Sequence, residues 1–77
     1  MTITIVGTGH VGATLAYTLL LKGIPDKIVL FNRTTEKAKG EAYDLIHTLS
    51  FTDYNIKVIA AETPEDTSDS DIIVFTA

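Results

Sequence analysis

Three glycines near the start of the chain, Gly7, Gly9 and Gly12, have a spacing that suits phosphate binding. In this G-x-G-x-x-G pattern the first glycine allows a tight turn, the second lets the backbone approach a pyrophosphate, and the third lets a helix pack closely on a sheet. The pattern is specific only where it follows a strand, opens a helix and lies in a βαβ unit. In that setting the unpaired amides of the first helical turn bind the phosphates.

A polar and basic segment, residues 32–37, could contact another part of a dinucleotide. In dinucleotide-binding folds the residue about 20 positions after the third glycine contacts the adenosine ribose, and an acidic residue there favours NAD. Asn32 occupies that position as a neutral amide, and Arg33 beside it is a fixed cation that suits a 2′-phosphate. Thr34 and Lys37 add a hydroxyl and a second cation.

Two interpretations of this segment stay open. In the first, the preference for NAD is relaxed or NADP is used, because no carboxylate repels the extra phosphate. In the second, Asn32 still binds the ribose through its amide, while Arg33 and Lys37 are solvated surface residues.

The apolar pattern predicts the elements that must position these residues. Short aliphatic runs predict strands at 3–6, 28–31, 56–61 and 72–75, all apolar enough to be covered on both faces. Helical spacing predicts one helix over 11–22, mostly buried because it lacks charge before Lys22, and a second that begins after Thr34 or Thr35. The inward stripe predicted for the second helix is Ala38, Ala42, Leu45, Ile46 and Leu49. This alternation predicts an α/β fold with a Rossmann-type doubly wound parallel sheet, truncated after the fourth strand.

Composition narrows the class of protein. The chain has 77 residues, a net charge of −4 and no cysteine, which disfavours nucleic acid as a partner and excludes disulfides and thiolate metal sites. No run is long enough to span a membrane, and the first residues lack the features of a secretion signal. We therefore expect a soluble cytoplasmic protein with no membrane partner. Because the last predicted strand extends to the end of the sequence, residues 1–77 are expected to be the N-terminal portion of a dinucleotide-binding domain, without the substrate domain.

Three stretches together resemble the N-terminal part of the L-lactate/malate dehydrogenase family, with the lactate type slightly favoured. They are the loop GTGHVGAT, the helical stretch KGEAYDLIH and the final DSDIIVFTA. The resemblance implies NAD as the cofactor and, in the full-length protein, hydride transfer between nicotinamide and a small 2-hydroxy or 2-oxo acid. It also implies a homo-oligomer. The family's catalytic residues lie beyond position 77, so no catalytic residue is assigned in this chain, and no metal site is expected.

The resemblance also implies particular cofactor contacts. Gly7, Gly9, His10 and Val11 would contact the pyrophosphate region, although the position of His10 taken alone favours an exposed residue at a loop tip. Thr76 and Ala77 would lead into the loop beside the nicotinamide ribose. The complete set of predicted cofactor-binding residues is Gly7, Gly9, His10, Val11, Gly12, Asn32, Arg33, Thr34, Lys37, Thr76 and Ala77.

Two other classes of protein remain open. Asn32, Arg33 and Thr34 followed by Lys37 are also similar to the 2′-phosphate site of NADP-dependent shikimate dehydrogenases. The GEAYDLIH stretch counts against that class. A non-enzymatic nucleotide-sensing domain, as in redox repressors or transporter gates, is the second alternative, and an unfinished sheet counts against it.

Overall fold

A four-stranded parallel sheet organises the chain in the computed structural model, which describes residues 1–7 and 9–76. The described elements, in chain order, are β1 (Thr2–Val6), α1 (His10–Lys22), β2 (Lys27–Phe31), α2 (Thr35–Leu49), β3 (Lys57–Ala60), a 3₁₀ turn (Pro64–Thr67) and β4 (Ile72–Phe75). The strand order is β3-β2-β1-β4, and every adjacent pair is parallel. The predicted α/β fold and the order of its elements are therefore confirmed.

The core lies between one face of the sheet and both helices. Ile3 pairs in register with Ile28, and Ile5 with Leu30, so these side chains form two rows on the same face. All four are buried, and α1 and α2 contribute small or branched residues to the same cluster. The buried helical residues of this cluster are Ala16, Leu20, Ala38, Ala42 and Leu45.

The opposite face of the sheet is covered by the segment that connects β3 to β4. Thr4 points to this face because strand residues alternate, and it is completely buried beside Val29. The Thr4 hydroxyl forms a hydrogen bond with the Ser70 hydroxyl. Since Ser70 Oγ donates to the Thr67 carbonyl at 2.7 Å, Thr4 is the donor of that pair. The connection is thus held to the centre of the sheet.

The 3₁₀ turn in this connection has a capping box. The Asp66 carboxylate accepts the backbone N–H groups of Glu62 at 3.0 Å and Thr63 at 3.2 Å. These two hydrogen bonds stabilise the charged form and lower the pKa of Asp66. The cap therefore fixes the path by which the chain crosses from β3 to β4.

Three predictions about burial are wrong. Helix α1 is buried only along the stripe that faces the sheet, and Val11 and Leu21 are 68% and 55% exposed. Ile46 is also exposed, since α2 packs through Ala38, Ala42 and Leu45.

Strand β4 is the largest departure, because three of its four residues are exposed, Phe75 by 77%. The physical reason is that β4 lies at the edge of the sheet, while the two helices pack over β1, β2 and β3.

In the described ranges, neither α1 nor α2 has the length and hydropathy of a membrane-spanning helix.

Candidate functional site

A cleft of about 460 Å³ lies at the carboxyl ends of the central strands. Its lining residues are Val6, Gly7, Phe31, Asn32, Arg33 and Thr76. The first two follow or end β1, the next three end or follow β2, and the last follows β4. The chain order reverses between β1 and β4, and ligands of open α/β sheets bind at such a switch point. The fold therefore puts the cleft where this architecture binds nucleotides.

The glycine turn after β1 has a backbone that only glycine tolerates. Gly7 has a φ of +86°, and its N–H donates to the Phe31 carbonyl at 2.8 Å. A Cβ at this position would lie 2.5 Å from the Thr76 carbonyl oxygen, which is too close for any side chain. The first glycine of the motif therefore makes the tight turn that the sequence predicts.

Gly12 lets α1 approach this turn closely. A Cβ on Gly12 would lie 2.4 Å from the Gly7 carbonyl oxygen. The first helical bond runs from the Ala13 N–H to the Gly9 carbonyl at 2.9 Å, and Gly9 occupies the N-cap without a side-chain cap. The earlier amides of α1 have no intrahelical partner, and the helix dipole adds positive potential there. These features fit a pyrophosphate group. The glycine backbone leaves room for the phosphates, and the unpaired N–H donors lie at the same end of α1.

Thr76 ties the end of β4 to the glycine turn. Its N–H donates to the Val6 carbonyl at 2.9 Å, and its hydroxyl lies 3.3 Å from that same oxygen. The hydroxyl also donates to the Gly7 carbonyl. Thr76 therefore holds the oxygen against which Gly12 packs.

Replacing Thr76 by valine should weaken nucleotide binding by about threefold to tenfold and lower the free energy of unfolding by about 1 kcal/mol. The substitution keeps the side-chain shape and removes only the hydroxyl that holds Gly7. Thr18→Val is the matched control, because the Thr18 hydroxyl donates to the Thr14 carbonyl at 2.8 Å on the exposed side of α1. Titration with NADH measures both variants, and equal binding by the two would contradict a role for Thr76 in the cleft.

The turn between β2 and α2 presents the basic segment. Asn32 Oδ1 accepts the Thr34 N–H at 2.9 Å, which fixes this turn. Thr34 is the N-cap of α2, as predicted, although its side chain makes no capping hydrogen bond. Arg33 lines the cleft and is exposed, and Lys37 is exposed in the first turn of α2. Within residues 1–7 and 9–76, neither cation forms an ion pair.

The structure brings together some of the predicted site residues and separates others. Gly7, Asn32, Arg33 and Thr76 line the cleft, and Gly12 lies directly behind Gly7. Gly9 starts α1, while Thr34 and Lys37 lie on the turn and helix beside Arg33. Ala77 lies outside the described residues.

His10 and Val11 line a different surface. With Thr14, Leu15 and Thr18 they form a mostly apolar groove of about 380 Å³ along the outer side of α1. Their backbone amides belong to the start of the helix, but their side chains are not among those that line the cleft. Two residues of the cleft, Val6 and Phe31, were not predicted. The sequence feature that could have identified them is their position as the last residues of β1 and β2, because these strand ends face a switch point.

Comparisons with known proteins agree on one family. The model of the lactate/malate dehydrogenase NAD binding domain matches residues 1–77. The chain is 43% identical over 75 residues to L-lactate dehydrogenase 3 of Bacillus cereus. That match covers 97% of this chain and 23% of the relative. It is 37% identical over 75 residues to the malate dehydrogenase of Pelagibacter ubique, with the same two coverages.

A solved structure gives the same result in three dimensions. The lactate dehydrogenase from Eimeria maxima with NADH and oxamate superposes with a TM-score of 0.90 at 34% identity. The match covers 99% of this chain and 23% of that one. The chain thus spans about a quarter of the length of the proteins that it matches.

Proposed function

The chain belongs to the lactate/malate dehydrogenase family, since the NAD binding domain of that family matches all of it, and on this premise we propose that its cleft binds NAD(H). The observation that carries the proposal is the contact between the two glycines. Gly12 packs on the Gly7 carbonyl so closely that no side chain fits between them. That contact brings the amino end of α1 to the switch point, where its amides bind the pyrophosphate.

The residues of this chain bind and orient the cofactor in the proposed complex. Gly7, Gly9 and the first amides of α1 hold the pyrophosphate, and Asn32 contacts the adenosine ribose. Thr76 keeps the glycine turn in place. His10, Val11 and Ala77 belong to the proposed set through the family resemblance alone. When bound, the nicotinamide supplies the hydride chemistry.

For the whole protein we propose hydride transfer between NAD(H) and a small 2-hydroxy or 2-oxo acid. This is supported by the relatives, which are L-lactate and malate dehydrogenases. The chain spans about a quarter of their length, and residues 1–77 are proposed as the first part of a dinucleotide-binding domain. The acid, the homo-oligomer and the cytoplasmic location stay predictions. A shikimate-type enzyme or a nucleotide-sensing domain is not favoured, because the matches name the lactate/malate family.

Binding of NADH by the protein, as its gene encodes it, tests the proposal directly. NADH fluorescence should change saturably, with half-saturation between about 1 μM and 1 mM, the usual range for such ligands. ADP-ribose should displace NADH, since it carries the pyrophosphate, and adenosine should not. Absence of saturable binding, or displacement by adenosine as readily as by ADP-ribose, would reject the cleft as a dinucleotide site.

A further inference from the structure

We propose that the cleft accepts NADP(H) as well as NAD(H), and that Arg33 binds the 2′-phosphate. The inference rests on the proposed function, because it assigns a specificity to the same cleft. Three observations carry it: the neutral residue at the end of β2, the position of Arg33, and the charge of the surrounding segment.

Asn32 does not exclude a 2′-phosphate. An Asp or Glu at this position would accept the ribose hydroxyls and repel a second anion. The amide of Asn32 carries no charge, and its Oδ1 accepts the Thr34 N–H at 2.9 Å. That hydrogen bond holds the turn in the conformation that presents Arg33. The side chain at the position that usually selects NAD therefore also shapes the turn between β2 and α2.

Arg33 is placed to recognise the phosphate. It lines the cleft next to Asn32, it is exposed, and no carboxylate of the described residues lies within ion-pair distance of it. A guanidinium binds phosphate oxygens through two parallel N–H donors, so an unpaired arginine at the cleft is well suited to this group. The ordinary alternative, a wholly solvated surface arginine, predicts that Arg33→Ala leaves NADPH binding unchanged.

The surrounding charge favours an additional anion. Beside the cleft, Arg33, Lys37 and Lys39 carry three positive charges against the one negative charge of Glu36, although the whole chain has a net charge of −4. Lys37 lies four residues after Arg33, in the first turn of α2, and is also without an ion pair in the described part of the chain, whereas Lys39 is paired with Glu62 at 3.5 Å. Glu36 is the acidic residue in the first turn of α2. Arg33 and Lys37 together outweigh it, and the amino end of α2 adds positive potential.

Fluorescence titrations with NADPH and NADH test the inference in wild type, Arg33→Ala, Asn32→Asp and Lys57→Ala. Wild type should bind the two cofactors within about tenfold of each other. Arg33→Ala should weaken NADPH by about tenfold, the loss of one exposed charge-assisted contact, and change NADH by less than about twofold. Asn32→Asp should also weaken NADPH by about tenfold, because it restores the repelling carboxylate. Lys57→Ala should change neither, because this exposed lysine starts β3 at the far end of the sheet.

Competition with adenosine 2′,5′-bisphosphate and 5′-AMP separates recognition of the phosphate from the rest of the cofactor. The bisphosphate should displace the cofactor about tenfold more weakly from Arg33→Ala than from wild type. Displacement by 5′-AMP should be the same for both proteins. The inference is overturned if wild type binds NADH but NADPH at least about 100-fold more weakly, or if Arg33→Ala weakens both cofactors equally. If neither cofactor binds, the proposed function fails and the inference fails with it. The two failures are thus distinguishable.

Discussion

Replacing Gly12 by alanine is expected to weaken NADH binding at least about 100-fold, whereas replacing Gly40 by alanine should leave it unchanged. The single added methyl of Gly12→Ala would lie 2.4 Å from the Gly7 carbonyl oxygen and 3.0 Å from the Thr76 hydroxyl. The first distance is shorter than a carbon atom can approach, and the second is tighter than most real contacts. Gly40 has nothing within 4 Å of the same added atom, so it is a matched glycine in the other helix.

The large effect follows because the oxygen facing Gly12 cannot yield. The Gly7 N–H is bound to the Phe31 carbonyl at 2.8 Å, and the Gly7 carbonyl accepts the Thr76 hydroxyl. The clash must therefore be relieved by moving α1 away from the sheet. That movement displaces the amides at the start of the helix from the phosphates. A displacement of about 1 Å at a binding group costs on the order of 100-fold.

Isothermal calorimetry with NADH measures the effect, and circular dichroism reports whether each variant is folded. Gly40→Ala should raise the free energy of unfolding by up to about 1 kcal/mol, because alanine is the better helix former. Native-like binding by a folded Gly12→Ala variant would show that the amides of α1 do not hold the pyrophosphate. Equal loss in both glycine variants would indicate general helix damage instead.

Local patterns were sufficient to predict the elements of this fold. The runs that became β1 and β2 are apolar and β-branched, and the helices follow a spacing with one inward stripe. The glycine motif was likewise predictable, because each of its three positions meets a local requirement. These are a tight turn, a close approach of the backbone to a phosphate, and a close contact between the helix and the sheet. Gly7 and Gly12 meet two of those requirements in the structure through their contacts with Thr76 and with each other.

Burial was less predictable, because it depends on where each strand lies in the sheet. Apolar composition alone did not distinguish the central strand β2 from the edge strand β4, whose Phe75 is 77% exposed. The same limit applies to the site. Phe31 lines the cleft because β2 lies next to β1, a placement that follows from the order of the strands and not from the spacing of the motif. His10 is close to the motif in sequence, yet its side chain lines the groove on the outer side of α1.

Replacing Leu20 by alanine is the second change with a large expected effect, a loss of about 2–5 kcal/mol in the free energy of unfolding. Leu20 is completely buried in the core, in one cluster with Ile3 and Ile28. Its neighbour Leu21 is 55% exposed. Leu21→Ala should therefore cost less than about 1 kcal/mol, and since both substitutions change helix propensity equally, their difference isolates burial.

Urea denaturation of the protein, as its gene encodes it, measures both variants with and without saturating NADH. Native proteins have only about 5–15 kcal/mol of stability, so Leu20→Ala removes a large share of it. NADH bound only to the folded state should raise the stability of both variants by the same increment, because Leu20 and Leu21 do not line the cleft. A smaller increment in Leu20→Ala alone would mean that the packing of α1 on the sheet also adjusts its phosphate-binding end. Equal destabilisation by the two variants would contradict the position of α1 in this fold.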